Sequence, residues 1–267
     1  MGDRPPGSAV PPFVALAAHP VRWRLLVELA RSDRQVIELS ALVGRPQGLV
    51  SYHLGRLRSG GMVSARRSSF DGRASYYRAH LDRCGAMLDA TGAALHPGLG
   101  PGLGRPGGRG PASVPPPSHR VAVLFACTGN GSRSQLAEAL LRAQGGGAFD
   151  VASGGSHPKP IHPNTIAVLT ERGIDTSALR STSLTELEGR SFDHVITLCD
   201  RVREVCPEFP GRGARAHWSI EDPSRLPGSP RRTLPAFRAL ADDLASRITF
   251  LCALAATETK ESPHHAR

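Results

Sequence analysis

The sequence predicts two domains of different class: a helix-rich α+β module followed by an α/β module with a central parallel sheet. Three observations carry this. Residues 96–118, HPGLGPGLGRPGGRGPASVPPPS, are almost all Gly, Pro and small polar residues, which build neither helix nor strand interiors. Before them, helical periodicity runs up to a pair of short alternating segments. After them, a wholly apolar run leads straight through a Cys-containing turn into a helix. The expected boundaries are therefore a first domain over 12–95, a linker over 96–118 and a second domain over 119–257.

Composition narrows the classes. The 267 residues suffice for two domains of ordinary size, and 40% are hydrophobic. The net charge of +10 is uneven: residues 1–119 carry 15 Arg/Lys against 7 Asp/Glu, whereas residues 120–267 carry 18 against 16. A basic first half suits a polyanionic partner such as DNA, although arginines in loops and linker also serve solubility. No stretch is apolar for about 18 residues, so no membrane span is expected. Met1–Pro12 lacks the basic-then-apolar order of a signal peptide. A cytoplasmic protein is expected, in which the five cysteines are reduced and paired ones read as catalytic rather than as staples. No metal site is expected.

The first domain reads as helix, helix, helix, helix, hairpin, helix. Residues 13–18 start a short apolar helix. Residues 20–31 place Val21, Leu25, Leu26, Leu29 and Ala30 on one face. A third helix spans 36–43 and stops at Gly44. The fourth, 46–59, opens on Pro46 and ends at Gly60-Gly61. Alternating runs over 62–67 and 74–78, joined by a polar turn at Asp71-Gly72, form a two-stranded wing, and a last helix covers about 81–95.

This order is that of a winged helix-turn-helix. Its wording resembles the arsenical-repressor (ArsR-type) family of regulators: Leu16 to Arg22, Leu25-Leu26, Val50-Ser51-Tyr52-His53-Leu54, Gly61-Met62-Val63 and Tyr76-Tyr77-Arg78. The resemblance implies a homodimer that binds operator DNA with residues 46–58 in the major groove. Gln47, Ser51, Tyr52 and His53 would face bases or phosphates. Arg56, Arg66, Arg67 and Arg73 would reach phosphate or the minor groove. Packing alone would equally account for Tyr52 and His53. Arsenite is soft and seeks thiolates, yet the third helix, Val36 to Leu42, has no cysteine, and Cys84 is the module's single thiol. The effector site of a regulator is therefore not legible.

The second domain opens with residues 120–126, RVAVLFA, a buried parallel strand by its continuous apolarity. Cys127-Thr128-Gly129-Asn130-Gly131-Ser132-Arg133-Ser134 follows, and then a helix. A short Gly-containing turn at a helix N-terminus directs successive N–H groups inward and cradles a tetrahedral oxyanion over Thr128–Ser134. Arg133 adds a planar fork of donors. The same positive field favours the Cys127 thiolate. Asn130 is placed to brace the loop, and Ser134 to donate to the sulfur.

This block resembles the low-molecular-weight phosphatase family. Val195 to Asp200, with Cys199 at a strand end and Cys206 before Pro207, and His217-Trp218-Ser219-Ile220-Glu221-Asp222-Pro223 resemble its thioredoxin-coupled arsenate reductase branch. The resemblance implies arsenate reduction by Cys127, Arg133, Cys199, Cys206 and Asp222: Cys127 attacks arsenic, Asp222 protonates the leaving oxygen, Cys199 attacks Cys127, and Cys206 then resolves the disulfide. It implies no bound cofactor, with thioredoxin or an equivalent dithiol as reductant. Fully extended, the segment between Cys199 and Cys206 would hold them about 23 Å apart, so it must fold back during exchange. Two other readings stand beside this one. A phosphatase needs only Cys127, Arg133 and Asp222, and a non-catalytic oxyanion sensor could control a repressor.

Overall fold

The computed structural model describes residues 10–70, 72–96, 99, 120–210 and 213–261. The chain divides into two compact units, Met1–Ser68 with Gly72–Ser113, and Ser69–Asp71 with Val114–Arg267. Apart from His96 and Leu99, the stretch expected as a linker lies outside the described residues, as does Asp71 of the expected turn.

The first unit contains α1 (Pro12–Ala17), α2 (Pro20–Arg31), β1 (Arg34–Gln35), α3 (Val36–Val43), α4 (Gln47–Ser59), β2 (Val63–Arg67), β3 (Ser75–Ala79) and α5 (Leu81–Leu95). Helix α2 starts where Pro20 fits the first turn and where His19 Nδ1 accepts from the Val21 N–H at 3.2 Å. It buries Leu25, Leu26 and Leu29. Val21 is half-buried and Ala30 exposed, so the apolar face is narrower than the sequence suggests. Helix α3 ends at Gly44, whose φ of 63° is the left-handed conformation that glycine adopts without a Cβ penalty. Pro46 caps α4 rather than beginning it. Leu25, Leu39, Leu54, Leu57 and Met62 are fully buried and join the helices to the foot of the hairpin. The wing pairs antiparallel from Val63↔Ala79 to Arg67↔Ser75. The sheet has a third strand that the sequence did not reveal: β1 pairs with β3 at Arg34↔Tyr77. Two residues are too few for alternation to register.

The second unit contains β4 (Val121–Cys127), α6 (Arg133–Gly145), β5 (Phe149–Gly155), α7 (Pro163–Glu171), β6 (His194–Thr197), α8 (Asp200–Val205), β7 (Ala214–His217) and α9 (Pro230–Glu261). The four strands are parallel in the order β5-β4-β6-β7. The chain leaves β4 for β5 on one side and returns to β6 on the other. The crevice of such a sheet lies at the carboxyl ends of the strands, where the order reverses. Here that is the β4/β6 boundary. Strand β4, paired on both edges and covered on both faces, is buried nearly throughout, as its unbroken apolarity requires. Helix α9 packs Phe237, Leu240, Ala241, Leu244, Ile248 and Leu251 at helical spacing onto this core. It continues to Glu261, past the end expected at 257.

Candidate functional site

The turn between β4 and α6 is shaped by Asn130. Its φ of 45° is the left-handed region, which Asn tolerates better than most residues. Its side chain is fully bonded. Nδ2 donates to Ser134 Oγ (2.8 Å) and Ser153 Oγ (2.7 Å), while Oδ1 accepts from Gln135 Nε2 (2.9 Å) and the Thr182 N–H (2.7 Å). Ser134 Oγ lies 3.0 Å from Cys127 Sγ. That oxygen also accepts from Asn130, and its hydroxyl is within reach to donate to the sulfur when Cys127 is a thiolate. The Asn130 N–H donates to the same sulfur at 3.2 Å.

The outer side of the turn is tied to a segment that sequence reading missed. Carbonyls of Cys127, Thr128, Gly129 and Gly131 accept from the N–H groups of Ser156 (3.3 Å), His157 (2.8 Å), Lys159 (2.8 Å) and His162 (2.9 Å). Thr165 Oγ1 also donates to Gly131 O at 2.9 Å. Four carbonyls are thus committed outward, while the Asn130 N–H points inward at Cys127 Sγ. The approach is close enough to exclude a side chain at Gly131, where a Cβ would sit 2.6 Å from Pro160 O. These contacts are non-local, and nothing in the spacing of 156–165 announces them.

Arg133 is buried, and its terminal nitrogens are engaged: one donates to Ile220 O (3.0 Å), the other to Asp222 Oδ2 (2.8 Å). The sequence led us to expect an open fork. Instead the guanidinium is held by the loop that carries Asp222, and its buried Nε has no protein partner. Burial works to lower the Arg133 pKa, but the field of Cys127, Cys199, Asp222 and Asp200 more than offsets this and raises it. Asp222 Oδ1 accepts from the N–H and the hydroxyl of Ser224 at 3.1 and 2.7 Å. A cavity of about 200 Å³ opens here, lined by Cys127, Arg133 and Asp222 together with Lys159, His162 and Arg225. The last three were not singled out from sequence. The His162 ring stacks on Phe237 with centroids 4.5 Å apart, and burial holds its pKa below the usual range while Asp222 pulls the other way.

Cys199 lies just past the end of β6, and Cys127 at the end of neighbouring β4, where Ala126 pairs with Thr197. Cys199 is buried, with Sγ 3.2 Å from Thr128 Oγ1 in the anion loop. It caps the start of α8, and Cys206 caps the end. Seven steps at 1.5 Å put their α-carbons about 10 Å apart, beyond the reach of a disulfide at about 7 Å. Cys206 is half-buried and burial pushes its thiol up, with Arg215 opposing. All five cysteines are free thiols.

In the first unit, Gln47, Ser51, Tyr52 and Arg56 are exposed on α4, as are Arg67 and Arg73 in the wing, whereas Arg66 is half-buried. His53 corrects the sequence expectation. It is 4% exposed, its ring 4.3 Å from that of His19, and burial first, then His19 and Arg22, lower its pKa. It packs the helix and does not face outward. Among the described residues no helix is long and apolar enough to cross a membrane.

Fold and site define an α/β domain of the phosphatase class with extra thiols, which follows a winged helix in the chain. The chain belongs to the low molecular weight phosphotyrosine protein phosphatase family, whose model matches residues 122–261. Residues 19–65 match the bacterial regulatory protein arsR family. An arsenate reductase of Halalkalibacterium halodurans is 33% identical over 130 residues, covering 49% of this chain and 94% of that protein. One of Bacillus subtilis is 32% identical over 126 residues, 47% and 91%. A solved arsenate reductase in its oxidized state is 31% identical with a TM-score of 0.44, covering 50% of this chain and 97% of that one.

Proposed function

We propose that the chain is a bifunctional arsenic-resistance protein of the cytoplasm, a DNA-binding regulator joined to an arsenate reductase. The observation that carries this is the placement of Cys199 against the anion loop. A phosphatase has no use for a second thiol there, but reduction of As(V) requires one.

Arsenate occupies the loop over Thr128–Ser134, with Arg133 turning its guanidinium partly from Asp222 to two oxygens. The Cys127 thiolate attacks arsenic, forming S–As as an As–O bond breaks. Asp222 gives its proton to that oxygen, which leaves as water. Cys199 then attacks Cys127 Sγ. The S–S bond forms, S–As breaks with its electron pair on arsenic, and arsenite departs while two thiols become a disulfide. Cys206 attacks Cys199 and releases Cys127, and a thioredoxin-type dithiol restores the Cys199–Cys206 pair. The cavity rim suits this substrate. Lys159 and Arg225 offer charge to a small dianion. In the regulator half, a homodimer presents Gln47, Ser51, Tyr52 and Arg56 to operator DNA, with Arg66, Arg67 and Arg73 at the wing.

The test is arsenate-dependent NADPH oxidation by the full chain with thioredoxin and thioredoxin reductase, beside Cys199→Ser. Turnover lost in the variant is the expected result. Hydrolysis of an aryl phosphate without arsenate turnover would overturn the reading in favour of a phosphatase.

A further inference from the structure

Next to α8 lies a set of buried polar groups that the steps above do not use. Asp200, the first residue of α8, is 1% exposed. Its Oδ1 accepts from Ser219 Oγ at 2.6 Å and faces His217 Nε2 at 3.0 Å. The other ring nitrogen of His217, itself buried, faces Thr197 Oγ1 at 2.8 Å and Thr197 O at 3.1 Å. Asp200 Oδ2 accepts from the N–H and the hydroxyl of Ser69 at 2.6 and 2.9 Å. A buried carboxylate is costly unless its lone pairs are met, and these partners together meet them.

The groups come from five places: Ser69 just past β2, the end of β6, the start of α8, the end of β7 and the run toward Asp222. Asp200 is peptide-bonded to Cys199, whose sulfur rests on Thr128. Ser219 precedes Ile220, whose carbonyl holds Arg133. The far end of α8 is held differently. Glu204 and Val205 are exposed, Cys206 is half-buried, and residues 206–209 form no regular structure.

We propose that Asp200 and His217 are positioning residues for the second thiol. They pin the Cys199 end of α8 beside the anion loop and so aim Cys199 at Cys127 for the step that forms the first disulfide. In that step Cys199 Sγ attacks Cys127 Sγ, the S–S bond forms, the S–As bond breaks with its electron pair on arsenic, and arsenite departs. The proposal rests on the reductase reading.

The test uses the full chain with Cys206→Ser, which traps the first disulfide, and adds Asp200→Asn or, from the other side of the pair, His217→Gln. Each is mixed with arsenate, quenched, alkylated and mapped for the Cys127–Cys199 disulfide, and phosphate affinity is measured in parallel. Formation of that disulfide is expected to slow about tenfold or more, since small misplacement of a nucleophile is costly. Phosphate affinity and the arsenate concentration that gives half the maximal disulfide rate should stay within about twofold, because neither residue lines the anion loop. Adding both changes together should cost no more than the worse of the two alone, as members of one unit do. Disulfide rates equal to those of Cys206→Ser alone in both variants would overturn the proposal, as would phosphate binding lost in step with rate, which marks a merely structural role. Failure of the reductase reading looks different: the Cys206→Ser chain with Asp200 and His217 intact then forms no Cys127–Cys199 disulfide with arsenate.

Discussion

The hydroxyl of Thr128 lies 3.2 Å from the sulfur of Cys199, so the anion loop and the second thiol touch before any substrate chemistry begins. That contact gives Cys199 a fixed place beside Cys127 and makes its loss diagnostic. Cys199→Ser should abolish steady-state arsenate reduction while phosphate still binds. Calorimetric phosphate titration beside a turnover assay checks this.

Arg133 is tied to Ile220 and Asp222 through a geometry that only a planar guanidinium fits. Arg133→Lys should lower kcat/KM for arsenate by about 10²-fold or more, the scale for removing a preorganised oxyanion donor. Steady-state kinetics measure it.

Asn130 makes four side-chain hydrogen bonds in a buried setting. Asn130→Ala strands the Thr182 N–H, while Gln135 Nε2 keeps the Arg180 carbonyl, and should cost about 2 kcal/mol of stability. Urea unfolding of the full chain reads this in the transition of the α/β unit, and activity should fall with it.

Burial raises the Cys206 pKa. A raised pKa leaves less thiolate at neutral pH, so resolution of the first disulfide should accelerate as pH rises from about 7 to about 9. Single-turnover release of the Cys127 thiol, followed by rapid alkylation, gives the rate against pH. A flat profile contradicts burial of that thiol as the brake.

Tyr52 is 61% exposed on α4 and His53 is buried against His19. Tyr52→Ala should weaken operator binding without loss of stability. His53→Ala should lower the melting temperature, because a packed ring is replaced by a cavity. Thermal unfolding and operator binding at fixed salt separate the two.

Much of the fold was legible because it is written locally. The apolar run of β4, the seven residues from Cys127 to Arg133 and the helix after them are contiguous, and periodicity marked the helices of the first unit. Three things were not legible. β1 is two residues long and shows no pattern. The strap over 156–162, with Lys159 and His162 in the cavity wall, meets the anion loop only through the β4–β5 crossover, so no spacing encodes it. His53 sits beside Tyr52 in the chain, yet helix rotation turns one ring inward and the other out. Neighbours in sequence do not share a face. Arg133 adds a fourth lesson: the residue type was right, but its protein partners depend on where the Ile220–Asp222 loop closes.

The most direct test of the account is to trap the thiol relay midway. Cys206→Ser, treated with one equivalent of arsenate and digested without reduction, should yield the Cys127–Cys199 disulfide by mass mapping, with one arsenite released per disulfide. Arsenate bound and recovered unreduced, with Cys127 and Cys199 both still alkylatable, would contradict it.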